Sequence, residues 1–143
     1  MSPESSIAFH YQDVDVPSLN EEVVRKLVVD TIVAENAEPG TLQIIFCDDE
    51  YLLEMNQAYL QHDTFTDIIT FDYCQDLEGI SGDIFISIPR VMENAKKYSV
   101  SFMEELHRVI LHGILHLLGY KDHTRDEKEV MRSKENYYLT LLS

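Results

Sequence analysis

The sequence predicts an α+β fold, a small mixed four-stranded sheet covered by helices, over one domain from Met1 to Ser143. Three observations lead there. Four short stretches are rich in β-branched and apolar residues, and five others carry helix-starting residues or apolar positions at helical spacing. The two kinds follow one another as β-α-β-α-β-β-α-α-α, and a chain of 143 residues is long enough to bury roughly 68–70% of its unfolded surface in one core.

Taken in order, Ile7 to Tyr11 reads as an edge strand. Asn20 is a good N-cap for a first helix, with Glu21 and Glu22 favoured in its first turn and Val23, Leu27, Val28 and Ile32 as its apolar stripe. Pro39 and Gly40 are expected to break the chain before a second strand, Thr41 to Cys47. Asp48 or Asp49 can cap a second helix reaching Leu60. Asp67 to Tyr73 and Asp83 to Ile88 read as strands around a polar loop, Cys74 to Gly82, and Pro89 suits the first position of a short helix ending before Ser99. Ser101 to Glu104 and Thr124 to Glu127 have the form of capping boxes; the first opens a helix to Leu118 that Gly119 stops, the second a helix toward Leu142.

Composition narrows the class. With 45% hydrophobic and 26% charged residues the chain is neither disordered nor fibrous. No apolar run approaches the ~18 residues of a membrane span or forms a signal-peptide core, so a cytoplasmic protein with no membrane partner is expected. Cys47 and Cys74 have no CxxC spacing and read as buried free thiols. The net charge of −15 opposes binding of polyanions, but it is unevenly spread. Met1 to Pro89 holds 18 acidic residues against Arg25 and Lys26, whereas Arg90 to Ser143 holds 9 basic against 8 acidic ones.

The chemistry-bearing segment lies in that second part: His112-Gly-Ile-Leu-His116-Leu-Leu-Gly119-Tyr120-Lys121-Asp122-His123. Residues four apart on a helix differ by about 40° in direction, so the two imidazoles share a face and can share a metal. Glu105 and Arg108 fall on that face, while Leu106, Val109, Ile110 and Leu117 supply buried surface around it. Gly119 turns the chain back so that a later residue can become a third ligand, leaving a fourth tetrahedral position for water, as in catalytic zinc sites. The zinc-peptidase pattern H-E-x-x-H needs a glutamate as general base where this chain has Gly113. The pattern is thus that of a zincin-like metal-binding helix without the peptidase base, and the metal itself must acidify water and polarise the substrate.

The segment from His112 to His123 resembles the pattern H-G-x-L-H-L-x-G-Y-D-H of the YbeY family, bacterial single-strand endoribonucleases and ribosomal RNA maturation factors. Met55-Asn56, Tyr59, Asp63 and Thr66-Asp67-Ile68-Ile69-Thr70-Phe71 are similar to a second family stretch, and Gly82-Asp83-Ile84 to a third, in the same order. Two departures stand out. The family's third ligand is a histidine six residues after the second, whereas here that position is Asp122, with His123 one step further. Asp122 is the expected ligand because the following helix start matches without an inserted residue, and His123 is the alternative. Leu60 stands where the family has an arginine, leaving Arg90, Lys96, Lys97 and Arg108 as candidate cations.

The resemblance implies one Zn²⁺, or another divalent ion, held by His112, His116 and Asp122. It further implies a zinc-dependent endoribonuclease acting on single-stranded RNA in 3′-end processing of the small-subunit ribosomal RNA, with ribosomal proteins or assembly factors as partners. The competing expectations are a peptidase-like zinc hydrolase and a noncatalytic assembly factor with structural zinc. His10, His62 and His107 lack ligand spacing, and Tyr137 and Tyr138 read as helix packing.

Overall fold

The computed structural model describes residues 6–60, 66–75 and 78–142, with Tyr59 and Leu60 described in backbone alone. The elements are β1 (Ser6–Tyr11), α1 (Glu21–Ala34), β2 (Pro39–Cys47), α2 (Asp49–Met55) with a π-helical turn over Asn56–Leu60, β3 (Ile68–Asp72), β4 (Ile80–Ser87), α3 (Ile88–Lys97), α4 (Phe102–Leu117) and α5 (Arg125–Leu139). A short 3₁₀ turn, Thr140–Leu142, follows. The sheet is mixed, in the order β1-β2-β4-β3: β2 pairs parallel with β1 and β4, and β3 pairs antiparallel with β4. The α+β class, the four strands and the element order agree with the sequence.

Boundaries differ where tertiary pairing overrides local signals. β2 begins at Pro39 and β4 at Ile80, because these two residues pair and Ile80 N–H donates to Glu38 C=O. Gly40, read as a breaker, lies inside β2; a Cβ there would stand 2.3 Å from Glu78 O, so only glycine permits this approach. On α1 the buried face is Val24, Leu27, Val28, Thr31 and Ile32, while Val23 is 38% exposed. Val24 lies three before Leu27 and four before Val28, so adjacent valines offered two registers and packing on the sheet took the second. Ser87 caps α3, its hydroxyl accepting from Arg90 N–H, which puts Pro89 second rather than first. Ser101 accepts from Glu104 N–H, the first half of a box, whereas Thr124 and Glu127 complete both halves.

α4 is the central helix. Leu106, Val109, Ile110, Ile114 and Leu117 pack with Leu42, Ile44, Phe46, Ile84 and Ile86 of the sheet and with α1 and α3. On its other side Leu111 and Leu115 pack with Leu27, Met131 and Tyr138. Each such fully buried Leu or Ile contributes roughly 1.5–3 kcal/mol. Burial from two directions leaves only a narrow strip of α4 facing solvent, and the histidine pair occupies it. Cys47 is buried with Leu52 and Ile69 beneath α2, and burial pushes its thiol up to about 12. Cys74 is a free thiol too, but only half-buried. Tyr138 is buried as expected, whereas Tyr137 is 59% exposed and does not pack inward.

Candidate metal centre

Gly119, at φ 106°, lets the chain reverse after α4, a conformation that side-chain-bearing residues rarely adopt. Its N–H donates to His116 C=O and the N–H of Tyr120 to Leu115 C=O, the two bonds of a Schellman motif. The returning chain carries the Asp122 carboxylate to the histidine strip. His112 Nε2 lies 3.0 Å from His116 Nε2 and 3.2 Å from Asp122 Oδ2, and His116 Nε2 lies 3.5 Å from that same oxygen. Three donors ~2.0–2.1 Å from a tetrahedral centre are separated by ~3.3 Å, so these edges suit a small divalent ion. His123 takes another role: its N–H donates to Glu127 in the cap of α5, and its side chain is exposed.

The far nitrogens of both rings are tied down. His112 Nδ1 is 2.7 Å from Glu135 Oε2, and His116 Nδ1 is 3.1 Å from Tyr120 O. A carboxylate and a carbonyl can only accept, so each Nδ1 carries the proton and each Nε2 keeps its lone pair for the shared point. Glu135 is itself held through its other oxygen by Arg108 Nη1 at 3.1 Å, and it is buried. The donor set therefore fits a metal: two neutral imidazoles and one carboxylate, with both Nε2 lone pairs and a carboxylate oxygen directed to one point. On His112 burial acts against protonation, but the hydrogen bond and charge of Glu135, with Asp122 and Asp67, raise its pKa overall. Burial and the neighbouring His112 lower that of His116.

A cleft of about 380 Å³ opens beside the triangle. His112 and Asp122 form its metal end, Asp67 and Asn94 lie along the sheet and α3 side, and Lys128 and Arg132 come from α5. Burial raises the pKa of Asp67, and burial together with Asp67 raises that of Glu105. Gly113 faces the sheet: a Cβ there would lie 2.9 Å from Ile68 Cδ1 and 3.1 Å from Ile84 Cγ2. The place where a peptidase glutamate would stand is thus taken by the sheet.

The expected cations fare unevenly. Arg90 is bound by Asp49, and Arg108, although it lines the cleft, is paired with Glu135. Lys96 and Lys97 are exposed on the last turn of α3. The side chains of Tyr59 and Leu60, and all of His62 and Asp63, lie outside the described residues. His10 and His107 stand apart from the donor triangle, the latter lowered in pKa by burial. Sequence reading missed Glu135, for which a signal existed: it interrupts the buried stripe Met131, Glu135, Tyr138 with a carboxylate. It also missed Asn94, Tyr98, Lys128 and Arg132, which line the cleft because of the way α3 and α5 flank α4.

Three convergent donors at the end of an open cleft on an α+β scaffold are the layout of a metal-dependent hydrolase. Relatives identify the kind. The family described as Endoribonuclease YbeY matches residues 6–143, and the chain belongs to that family. A protein named Endoribonuclease YbeY from Flavobacterium psychrophilum is 50% identical over 135 residues, covering 94% of this chain and 95% of its own. One of the same name from Flavobacterium johnsoniae is 54% identical over 117 residues, 82% of this chain and 84% of its own. The solution structure of TM1509 from Thermotoga maritima shares the fold, with a TM-score of 0.67 at 24% identity over 94% of this chain and 88% of that one. The family named from the motif and the family found by comparison are the same.

Proposed function

We propose that this chain, acting as one domain over 1–143, is a zinc-dependent endoribonuclease specific for single-stranded RNA. It acts in the cytoplasm on the 3′ end of small-subunit ribosomal RNA, with ribosomal proteins or assembly factors bringing it to its substrate. Family membership supports the RNA-cleaving activity. The observation that carries the metal dependence is the triangle of His112 Nε2, His116 Nε2 and Asp122 Oδ2, with both Nδ1 atoms already committed to acceptors. Zinc held by these three residues would supply Lewis acidity, which acidifies water and stabilises charge on a phosphoryl oxygen.

The chain's own residues do the rest. Glu135 and Tyr120 O hold the imidazoles in the binding tautomer. Arg108 holds Glu135 in place through its other oxygen. Asp122 brings the third donor oxygen to the two imidazoles. His112 and Asp122 of the triangle border the cleft, which would receive an unpaired strand. A purely structural zinc would be closed by a fourth protein ligand, and among the described residues the metal-capable group has three members. Among the described residues, too, no helix is long and apolar enough to cross a membrane.

His116→Ala tests this reading. Elemental analysis should find one zinc per wild-type chain and none in the variant. Cleavage of a single-stranded RNA oligonucleotide should disappear while the metal-free melting temperature is kept. Wild-type cleavage by a zinc-free variant overturns the metal role, and collapse of the variant together with an inactive wild type favours the structural-zinc alternative.

A further inference from the structure

The cleft beside the metal centre has two dissimilar walls. α3 and α5 each pack on α4, and the cleft lies between them. On the α5 side, Arg125, Lys128 and Arg132 follow at spacings of three and four, so their side chains share a helix face, and all three are exposed. Lys128 and Arg132 line both the cleft and an adjoining surface groove that includes Arg125, which makes the cationic face continuous from the metal end outward. Other nearby cations are spoken for: Arg90 by Asp49, Arg108 by Glu135 and Lys134 by Glu35. Among the described residues, neither Lys128 nor Arg132 is in an ion pair. The pair of Arg125 with Glu129 spans 3.5 Å between strongly exposed side chains and leaves that guanidinium free to exchange partners.

The other wall presents an aromatic ring. Tyr98, the C-cap of α3, lines the cleft with its side chain 52% exposed, and Lys97 Nζ sits 5.7 Å from its ring centroid. An exposed ring on a cleft whose other wall carries a row of exposed cations has the two elements by which proteins hold an unpaired strand: a track for phosphates and a flat face for a base. The rest of the cleft lining carries Asp67, Glu105, Asp122 and Glu135, so the phosphates of a polyanion are favoured along the α5 cations and disfavoured beside those carboxylates.

We propose that Arg125, Lys128 and Arg132 carry the phosphates of a single RNA strand along α5, while Tyr98 stacks a base next to the bond to be cut. The inference rests on the RNA-cleavage reading above and deepens it, because it assigns single-strand selectivity to particular residues. Bases in a duplex are already stacked and cannot reach Tyr98.

The test uses zinc-loaded protein. Binding of a fluorescent 2′-O-methyl phosphorothioate strand is measured across salt concentrations, beside kcat and KM on the cleavable strand. The triple variant Arg125→Ala, Lys128→Ala, Arg132→Ala should bind with a log–log salt slope smaller by about two, since each phosphate contact contributes ~0.7 on single strands. Tyr98→Ala should bind roughly 5- to 150-fold more weakly, Tyr98→Phe should bind like wild type, and the melting temperature should stay unchanged in both. A wild-type salt slope in the triple variant, or wild-type affinity in Tyr98→Ala, overturns the proposal while leaving the nuclease reading intact. A wild-type protein that neither binds nor cleaves RNA brings down both.

Discussion

Replacing Glu135 by Gln removes one charge at constant size, and the structure makes the consequence specific. The carboxylate serves two donors, His112 Nδ1–H at 2.7 Å and Arg108 Nη1 at 3.1 Å. A carboxamide has one accepting atom. If its oxygen meets His112, its NH₂ opposes the Arg108 guanidinium; if it is flipped, the NH₂ donates to Nδ1 and forces the ring proton onto Nε2, where the metal should bind. Either way a cost arises that wild type does not have. Partners of metal-bound histidines typically account for 10–100-fold in affinity, equivalent to ~1.4–2.7 kcal/mol. Removing one member of a buried ion pair costs a further ~3–5 kcal/mol of fold stability, less here to the extent that glutamine keeps one hydrogen bond. Zinc affinity, measured by competition with a chromophoric chelator, should therefore fall by about one to two orders of magnitude, and metal-free melting should fall with it. Undiminished zinc affinity in Glu135→Gln would falsify the claim that Glu135 sets the His112 tautomer.

Other expectations follow from the same geometry. Asp122→Ala should empty the site by elemental analysis, whereas His123→Ala, which leaves the backbone cap of α5 in place, should retain the metal; retention in the first and loss in the second would exchange their roles. Gly113→Glu should not confer peptide hydrolysis and should destabilise the fold by several kcal/mol, since the new carboxylate would be driven against Ile68 and Ile84 without a partner; an unchanged thermal transition refutes that packing. Glu35→Gln should cost roughly 2–4 kcal/mol at neutral pH. Burial alone would raise the Glu35 pKa, but hydrogen bonds from Tyr120, Tyr138 and Lys134 bring it below the ordinary value. Its stabilisation is then fully present above the unfolded value near ~4.3 and is lost as pH falls through the lower folded one. The difference between wild type and Glu35→Gln in urea titrations should accordingly close in acid, and a gap that widens there contradicts the hydrogen-bond assignment.

What could be read locally was read from the sequence, and what depended on distant neighbours was not. Asn20, Ser101 and Thr124 cap their helices because a cap is a matter of three residues, and the histidine pair is legible because one helical turn fixes its geometry. Val23 and Val24 compete for the same apolar stripe, and only the position of the sheet decides between them. Strand starts at Pro39 and Ile80 were hidden because pairing between residues 41 apart draws a proline, a glycine and a loop end into the sheet. In the site, His112, His116 and Asp122 lie within eleven consecutive positions, but Glu135 approaches from α5 and Tyr98 from α3. Neither has a spacing that names it, although a carboxylate in the apolar stripe of α5 was a clue to the former.

Glu35 shows how far from the motif the site's rigidity originates. It sits at the C-cap of α1, yet it accepts from Tyr120, from Tyr138 and from Lys134 Nζ at 3.1 Å, across 85 to 103 residues of sequence. Tyr120 works in three directions: its hydroxyl goes to Glu35, its N–H closes the end of α4, and its C=O accepts from His116 Nδ1. The turn that orients one imidazole and returns Asp122 to both is therefore pinned to α1 and α5 as well as to the helix it ends. A metal site with only three protein donors has no fourth ligand to hold its shape, so its preorganisation must come from such supports. Here they are a carboxylate on each side, the buried Glu135 behind His112, held by Arg108, and the partly buried Glu35 behind the Tyr120 turn, held by Lys134 and the hydroxyls of Tyr120 and Tyr138.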